Sequence, residues 1–292
     1  MADHIAVLLC HPSTPVIGRE VIGRVSDALD AEAAELCEGT AAEWTITDVS
    51  ATREKVGAIT AGMPIDMAVV PASNRRKRLL IADMDSTMIE QECIDELAAE
   101  VGRKDEVAAV TAAAMRGEIE FEQALRDRVA TLRGLPVEVV SRVLQDRIVL
   151  RSGGRELVGT MRANGAHTML VSGGFTLFTS AIAAMLGFDE NRANVLGVRD
   201  GRFTGQVEEP ILGQQAKLTA LREAAAARGL TAAEALAVGD GANDLPMVEA
   251  AGLGVALHAK PAVAARADVR IDHGDLTALL YLQGYRRDEF AA

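Results

Sequence analysis

Three short apolar segments of the chain each end in a group of polar residues. These segments, Leu79–Ala82, Thr168–Val171 and Ala235–Val238, have the continuous hydrophobicity typical of strands buried in a parallel sheet. Helical patterns separate them, which predicts an α/β fold with a doubly wound parallel sheet. Because ligands bind at the carboxyl ends of the strands in such sheets, we expect a functional site where the polar groups meet.

The chain of 292 residues divides into three predicted parts. Residues 1–74 form a small α/β unit with three strand candidates, Ile5–Cys10, Trp44–Val49 and Asp66–Val70. The core comprises residues 75–89 and 151–292. Residues 90–150 are rich in Ala, Glu, Arg and Leu and contain no strand candidate, which predicts an all-helical cap inserted after the first core strand.

Two local sequence features predict a linker and a turn within this arrangement. The basic run at residues 75–78 is interpreted as a solvated linker between the N-terminal unit and the core, with a binding patch as the alternative. Asp200-Gly201 lies between the β-formers Val198 and Phe203 and predicts a two-residue hairpin.

The net charge and the cysteine content limit the binding partners and the cellular location that we expect for this protein. The formal net charge is −12 and the isoelectric point about 5.0, which disfavours binding to nucleic acid or to anionic membranes. No apolar run approaches the ~20 residues of a membrane span. The three cysteines are far apart and form no CxxC pair, so we expect a cytoplasmic protein with free thiols and no zinc site. The oligomeric state stays open, with a homodimer among the alternatives.

Acidic residues follow two of the buried strands. Asp83 and Asp85 are one residue apart, so in an extended segment both face the same cavity. Asp240 and Asp244 follow the later strand, together with Asn243. Oxygen ligands without His or Cys are typical of a Mg²⁺ site. The alternatives are a helix cap for the first pair and a tight turn with capping side chains for the second group.

The third strand end and one lysine complete the predicted site. In Ser172-Gly173-Gly174, a hydroxyl and open backbone N–H groups precede a predicted helix and can cradle an anion, although a Ser helix cap is an alternative. Lys217 falls in the first turn of the predicted helix Gln214–Arg228, where the helix dipole disfavours it. A carboxylate nucleophile, a cation, a hydroxyl and an ammonium group together predict phosphoryl transfer.

These motifs resemble those of the haloacid dehalogenase superfamily, and the string DMDSTMIEQECIDEL at residues 83–97 resembles its phosphoserine phosphatase branch in particular. The Phe121–Val129 segment and Gly173-Gly174-Phe175 are similar to that branch as well, and the resemblance runs from about Leu79 to Tyr285. It implies a haloacid dehalogenase-like, Rossmann-type core with a helical cap. Residues 1–74 resemble an ACT-type domain, with three predicted strands where that fold has four.

The resemblance implies Mg²⁺-dependent hydrolysis of O-phospho-L-serine to L-serine and phosphate, the last step of serine biosynthesis. Asp83 would form an aspartyl-phosphate, and Asp85 would protonate the leaving oxygen and then activate water. Asp83, Asp240 and the backbone carbonyl of Asp85 would bind Mg²⁺. The remaining motif residues would serve the phosphoryl group: Ser172, Gly173 and Lys217 hold it, Asn243 contacts it, and Asp244 supports the ion and Lys217.

Recognition of an amino acid requires further charges in the cap. Phe121, Leu125, Arg128 and Leu132 fall on one face of a predicted helix, so Arg128 either binds a substrate carboxylate or extends to the surface. The resemblance assigns Arg128 to the carboxylate and Glu92 to the ammonium group; compensation of a helix dipole is the alternative for Glu92. Phe121, together with Met115, occupies an apolar cap position where it would exclude water or simply pack in the core.

Two other functions stay open. The first is a related phosphotransferase, or a phosphatase that acts on another small phosphomonoester such as phosphohomoserine. The second is an amino-acid-sensing regulator built on residues 1–74, which the complete set of catalytic groups disfavours.

Overall fold

The computed structural model describes residues 4–115 and 118–291, without the side chain of residue 115. The N-terminal unit is an antiparallel sheet with the order β2-β3-β1-β4 and two helices, in the chain order βαββαβ. Its elements are β1 His4–Leu9, α1 Arg19–Leu29, β2 Ala33–Cys37, β3 Ala41–Ile46, α2 Val49–Thr60 and β4 Asp66–Pro71.

The prediction of three strands in this unit is therefore wrong by one. The missed strand, β2, has the sequence Ala-Ala-Glu-Leu-Cys, and alanine and glutamate are poor strand formers. β2 lies at the edge of the sheet, pairs only with β3 among the described strands, and exposes two of its five residues. Pairing with a neighbouring strand, rather than intrinsic preference, makes this segment extended.

The core is a six-stranded sheet in which every described pair is parallel, with the order β12-β11-β10-β5-β6-β7. All four residues of β5 are fully buried, as the continuous apolar run predicts. The strands are β5 Leu79–Ala82, β6 His167–Phe175, β7 Glu190–Asn194, β10 Ala235–Gly239, β11 Leu253–Leu257 and β12 Val269–Ile271. The helices around them are α7 Gly154–Ala163, α8 Thr176–Leu186, α9 Gln214–Ala226, α10 Leu245–Ala250, α11 Pro261–Ala264 and α12 Ala278–Leu282.

Four further helices follow β5: α3 Cys93–Ala99, α4 Lys104–Met115, α5 Phe121–Ala130 and α6 Val139–Asp146. Residues of the first three line a cavity at the carboxyl edge of the sheet. The hairpin of β8 (Leu196–Arg199) and β9 (Arg202–Val207) packs against α5. Its turn is the predicted Asp200-Gly201, where both residues have positive φ, as a type I′ turn requires. Within residues 4–115 and 118–291, no helix is long and apolar enough to cross a membrane.

The N-terminal sheet packs directly on the core, because β1 is buried on both faces. Ala6 and Leu8 belong to the apolar cluster beneath α1 and α2. Val7 and Leu9 belong instead to the main core cluster, together with Leu280 of α12. The alternation of β-strand side chains thus gives β1 two apolar interfaces.

The interpretation of the basic run that precedes β5 as a solvated linker holds only in part, because Lys77 is buried and Arg75 is half-buried while Arg76 and Arg78 are exposed. Lys77 is 8% exposed, and its ammonium donates to the carbonyl of Ala233 at 3.0 Å. The backbone N–H of Lys77 donates to Gln283 Oε1 at 2.9 Å. Arg75 donates to Glu43 of β3 at 2.6 Å. Long side chains bury their aliphatic stems here while carbonyl and carboxylate oxygens hold their charged ends.

Candidate active site

Two neighbouring strands carry a cluster of three buried carboxylates. β5 and β10 pair in parallel, so Asp83 and Asp240 leave the sheet side by side. Asp244 ends the 3-10 turn that follows β10, and its Oδ2 accepts the backbone N–H groups of Asp240 and Gly241 at 3.2 and 3.0 Å. The carboxylate oxygens of the three aspartates lie within 4.8 Å of one another, and none of the three residues is more than 5% exposed.

One ammonium group partly compensates this cluster. Lys217, in the first turn of α9, is 2% exposed and donates to Asp83 and, at 2.5 Å, to Asp244. Burial alone lowers the pKa of Lys217, but the carboxylates of Asp244 and Asp83 raise it above its ordinary value. Its position at a helix N-terminus is therefore explained by the carboxylates that it faces.

The cluster retains an excess of negative charge. Burial and, next, the carboxylate of Asp244 raise the pKa of Asp240 to about 6. Burial likewise raises the pKa of Asp83, and Asp244 adds to the increase. Three carboxylates that offer only oxygen ligands fit a hard divalent cation, because such an ion supplies the missing positive charge.

Asp85 lies beside this cluster and makes different contacts. Its Oδ1 accepts the backbone N–H of Cys93 at 2.8 Å, and its Oδ2 accepts the hydroxyl of Ser172 at 3.0 Å. Cys93 is the first residue of α3, so Asp85 also satisfies an N–H at that helix end, although the N-cap residue of α3 is Glu92 and not Asp85 or Ser86 as the capping alternative required. Burial raises the pKa of Asp85 above its ordinary value, a direction that suits a general acid.

The Ser172 motif is placed differently from the prediction. β6 continues through this motif to Phe175, and α8 begins only at Thr176, with no side chain capping it. The alternative of a Ser helix cap is therefore wrong, and so is the end of the predicted strand at Val171. The hydroxyl of Ser172 instead accepts the N–H of Gly174 at 2.8 Å while it donates to Asp85.

Both glycines of this motif lie close to neighbouring side chains. A Cβ on Gly173 would lie 3.1 Å from the ring of Phe121, and a Cβ on Gly174 would lie 2.8 Å from Oδ2 of Asp85. A side chain at either position would therefore require Phe121 or Asp85 to shift.

A cavity of about 350 Å³ separates these groups from α3, α4 and α5. Arg128 of α5 faces it and is 7% exposed, so the alternative in which it extends to the surface is wrong. Its guanidinium donates to the carbonyl of Ala124 at 3.0 Å and to the hydroxyl of Thr111 at 2.9 Å. Within the part of the chain that the structure describes, no carboxylate lies within ion-pair distance of Arg128. Burial lowers its pKa, with Glu92 as the largest opposing charge.

Glu92 faces the same cavity from the residue before α3. Its Oε1 accepts the hydroxyl of Ser86 at 2.8 Å. Burial, and next the carboxylate of Asp85, raises the pKa of Glu92 to about 8. In the free protein this side chain is therefore mostly protonated at neutral pH, and a cation placed beside it would favour its ionisation.

The cavity brings the remaining predicted residues into one place, with one exception. Asn243 and Phe121 both line it. The prediction for Met115 concerns a side chain outside the described residues.

Two polar residues near the site were missed by the sequence analysis. Thr87 is fully buried and donates to Asp240 at 3.2 Å, and Thr111 donates to Asp95 at 2.9 Å while it holds Arg128. Thr87 belongs to the quoted acidic motif and was within reach of sequence reasoning, whereas nothing in the sequence marks Thr111.

Comparison with known proteins identifies the class to which this site belongs. Residues 80–249 match the family model of the haloacid dehalogenase-like hydrolases, and the chain belongs to that family. Within it, the chain is similar to phosphoserine phosphatases. The protein of that name from Albidiferax ferrireducens is 46% identical over 230 residues, which cover 77% of this chain and 97% of that protein.

Two further similarities extend this comparison. The phosphoserine phosphatase of Streptomyces coelicolor is 44% identical over 87% of this chain, but the match spans only 62% of that longer protein. A solved structure of a phospho-aspartyl intermediate analogue of phosphoserine phosphatase has a TM-score of 0.67 and 40% identity, and the match covers 70% of this chain and 98% of that one.

Proposed function

We propose that the chain is a phosphoserine phosphatase that hydrolyses O-phospho-L-serine to L-serine and phosphate. The observation that carries this proposal is the composition of the single cavity described above. Asp83 and Asp85 lie at its floor, and Arg128, buried without a carboxylate partner in the described structure, faces it together with Glu92. This arrangement provides a nucleophile, an acid, and opposite charges for an amino acid.

Asp83 is the proposed nucleophile. Its carboxylate oxygen forms a bond to phosphorus while the bond between phosphorus and the serine oxygen breaks, and Asp85 gives its proton to that oxygen. In the second step, Asp85 takes a proton from water, the water oxygen bonds to phosphorus, and the bond to Asp83 breaks. The raised pKa of Asp85 supports its role as the proton donor.

The charge of the phosphoryl group requires compensation by the surrounding residues. Lys217, the hydroxyl of Ser172 and the backbone N–H of Gly173 would hold its oxygens, and Asn243 would contact it. Asp83, Asp240 and the backbone carbonyl of Asp85 would hold Mg²⁺, with Asp244 in support. Bound there, the ion offsets the repulsion between phosphate and the carboxylates.

Recognition of the amino acid rests on the cap. The substrate carboxylate would accept hydrogen bonds from the guanidinium of Arg128, and the substrate ammonium would pair with Glu92. Phe121, which covers Gly173, would help to exclude water from the phosphoenzyme, and we propose the same role for Met115.

Phosphate release from O-phospho-L-serine, with and without Mg²⁺, tests this proposal. We expect turnover with Mg²⁺ and none after chelation. Parallel assays with phosphothreonine, phosphohomoserine and an aryl phosphate separate it from a phosphatase of different specificity. If one of these is hydrolysed well and phosphoserine is not, the proposed substrate is wrong.

We also propose roles for the two parts that flank the core. The helices α3–α6 are the cap of the enzyme, and residues 1–74 are an ACT-like domain, which the βαββαβ order of β1 to β4 supports. Titration of the full chain with serine, followed by intrinsic fluorescence of Trp44 within that domain, tests whether it senses an amino acid. The cytoplasmic location stays a prediction.

A further inference from the structure

The loop that follows Asp85 has a backbone conformation that needs external support. Ser86 has a φ of 57°, in the left-handed region that a residue with a side chain adopts at an energetic cost. Arg151 supports this loop from the chain that returns from the cap. Its Nη2 donates to the carbonyl of Ser86 at 2.8 Å, and its Nε donates to the carbonyl of Thr87 at 2.9 Å. One planar guanidinium thus holds two successive backbone carbonyls.

The two residues held in this way connect to both halves of the site. The hydroxyl of Ser86 donates to Glu92, the proposed partner of the substrate ammonium. The hydroxyl of Thr87 donates to Asp240, a member of the carboxylate cluster. Asp85 directly precedes them. A change in the position of the Arg151 guanidinium therefore displaces the general acid and two binding groups together.

His258 extends the network beyond Arg151. Its Nδ1 lies 3.4 Å from Nη1 of Arg151, and its Nε2 lies 2.7 Å from the carbonyl of Gly274. Since a carbonyl only accepts, Nε2 carries the hydrogen and Nδ1 faces the guanidinium as an acceptor. His258 also has a positive φ, of 47°, which is uncommon for a non-glycine residue and directs its ring between these two partners.

The segment at residues 272–274 is in turn fixed by the N-terminal unit. Asp66, the first residue of β4, is 5% exposed and accepts three successive backbone N–H groups: that of Asp272 at 2.8 Å, that of His273 at 3.0 Å and that of Gly274 at 2.7 Å. A carboxylate that accepts several backbone N–H groups is a strong and specific anchor. It links a strand of residues 1–74 to the carbonyl that orients His258.

We propose that Arg151 is the positioning residue of the loop that follows Asp85. We further propose that a series of hydrogen bonds through His258 and Gly274 makes the position of the Arg151 guanidinium depend on Asp66 in the N-terminal unit. This inference rests on the proposed function for the roles of Asp85 and Glu92. It gives residues 1–74 a mechanical part in the reaction that requires no ligand in that unit. We expect the loss of any one of these hydrogen bonds to loosen the same loop.

Arg151→Lys tests the first part of the proposal. Lysine keeps the charge but cannot hold both carbonyls with a planar fork, so we expect kcat to fall about tenfold or more on phosphoserine and on an aryl phosphate alike. KM for the aryl phosphate should change less than about threefold, since its contacts remain. Arg155→Lys, in the exposed first turn of α7, is the matched control and should leave kcat unchanged.

Amide hydrogen exchange provides a readout that needs no substrate. In Arg151→Lys, the peptide that spans residues 84–92 should exchange faster, while the strands of the core sheet keep their protection. If wild-type enzyme releases no phosphate from phosphoserine, the proposed function fails, but this exchange measurement still tests whether Arg151 holds the loop that follows Asp85. Unchanged kcat together with unchanged exchange in this peptide would overturn it.

A double-mutant cycle tests the connection to the N-terminal unit. Asp66→Asn and His258→Asn should each lower kcat about 2- to 30-fold and accelerate exchange in residues 84–92. Asparagine is chosen at 258 because it tolerates positive φ but is too short to reach both partners. The double variant should lose no more kcat than the more impaired single variant, because both changes interrupt the same series of hydrogen bonds.

Glu43→Gln supplies the control for this cycle. Glu43 also joins the N-terminal sheet to the rest of the chain, through Arg75, and among the described residues it makes no hydrogen bond or ion pair with Asp66, His258 or Arg151. We expect its kcat and the exchange of residues 84–92 to match those of the wild type. Fully additive losses in the double variant, or an equal loss in Glu43→Gln, would show that general loosening of the interface, and not this chain of hydrogen bonds, controls the loop.

Discussion

Replacement of Arg128 tests substrate recognition most sharply, because the structure allows its effect to be sized. Arg128 is 7% exposed, and in the proposed complex its guanidinium faces the substrate carboxylate with little competing water. Truncation of one partner in a buried, hydrogen-bonded charge pair costs about 2–5 kcal/mol. At about 1.4 kcal/mol per factor of ten, Arg128→Ala should lower kcat/KM for phosphoserine by about 30- to 4,000-fold, mainly through KM.

The assay compares phosphoserine with an aryl phosphate that has no amino-acid group. Arg128→Ala should leave hydrolysis of the aryl phosphate within about threefold of the wild type, since Asp83 and Asp85 are untouched. Arg128→Met, which retains most of the side-chain volume, separates loss of charge from collapse of the cap. Arg126→Ala is the control from the same helix, because Arg126 is 45% exposed and pairs with Glu209 at 2.5 Å. Equal losses on both substrates would refute the recognition role.

Four further predictions concern the carboxylates and the metal ion of the site. Asp83→Asn should abolish turnover, because an amide cannot attack phosphorus, and substantial residual phosphate release would show that another atom is the nucleophile. Removal of divalent cations with a chelator should stop turnover, and added Mg²⁺ should restore it; activity that persists in excess chelator would exclude a metal role for Asp240. Glu92, with a pKa of about 8, must lose its proton to pair with the substrate, so kcat/KM of the wild type for phosphoserine should rise from about pH 6 to about pH 8. In Glu92→Gln, kcat/KM should not rise over this pH range. Because the folded chain binds that proton more tightly than the unfolded chain, the stability it contributes is lost as pH rises through 8, and Glu92→Gln should raise the melting temperature more at pH 9 than at pH 5.

The position of the site follows from local sequence patterns. Continuous apolar runs such as Leu79–Ala82 are typical of buried strands, and parallel strands bring their carboxyl ends to one edge. Asp83 and Asp240 could therefore be placed together from the sequence. The apolar stripe in which Arg128 falls placed it on the inner face of its helix but left open whether its guanidinium is buried.

The contacts that support the site depend on tertiary structure and leave no such pattern. Asp66 anchors backbone groups more than 200 residues away, and a single aspartate at the start of a strand looks like any turn residue. The edge strand β2 depends on its pairing with β3, and the buried position of Lys77 depends on its contacts with Ala233 and Gln283, which are distant in the sequence. Propensity and periodicity describe neighbours along the chain, whereas these features are decided by neighbours in space.

Chemical trapping of the phosphoenzyme tests the central claim directly. Enzyme that is turning over phosphoserine is quenched and treated with borohydride, which reduces an acyl phosphate to an alcohol, and the modified peptide is mapped by mass spectrometry. We predict homoserine at position 83 and unmodified aspartate at positions 85, 240 and 244. Reduction at any of those three positions, or its absence throughout an enzyme that is visibly releasing phosphate, would contradict attack by Asp83.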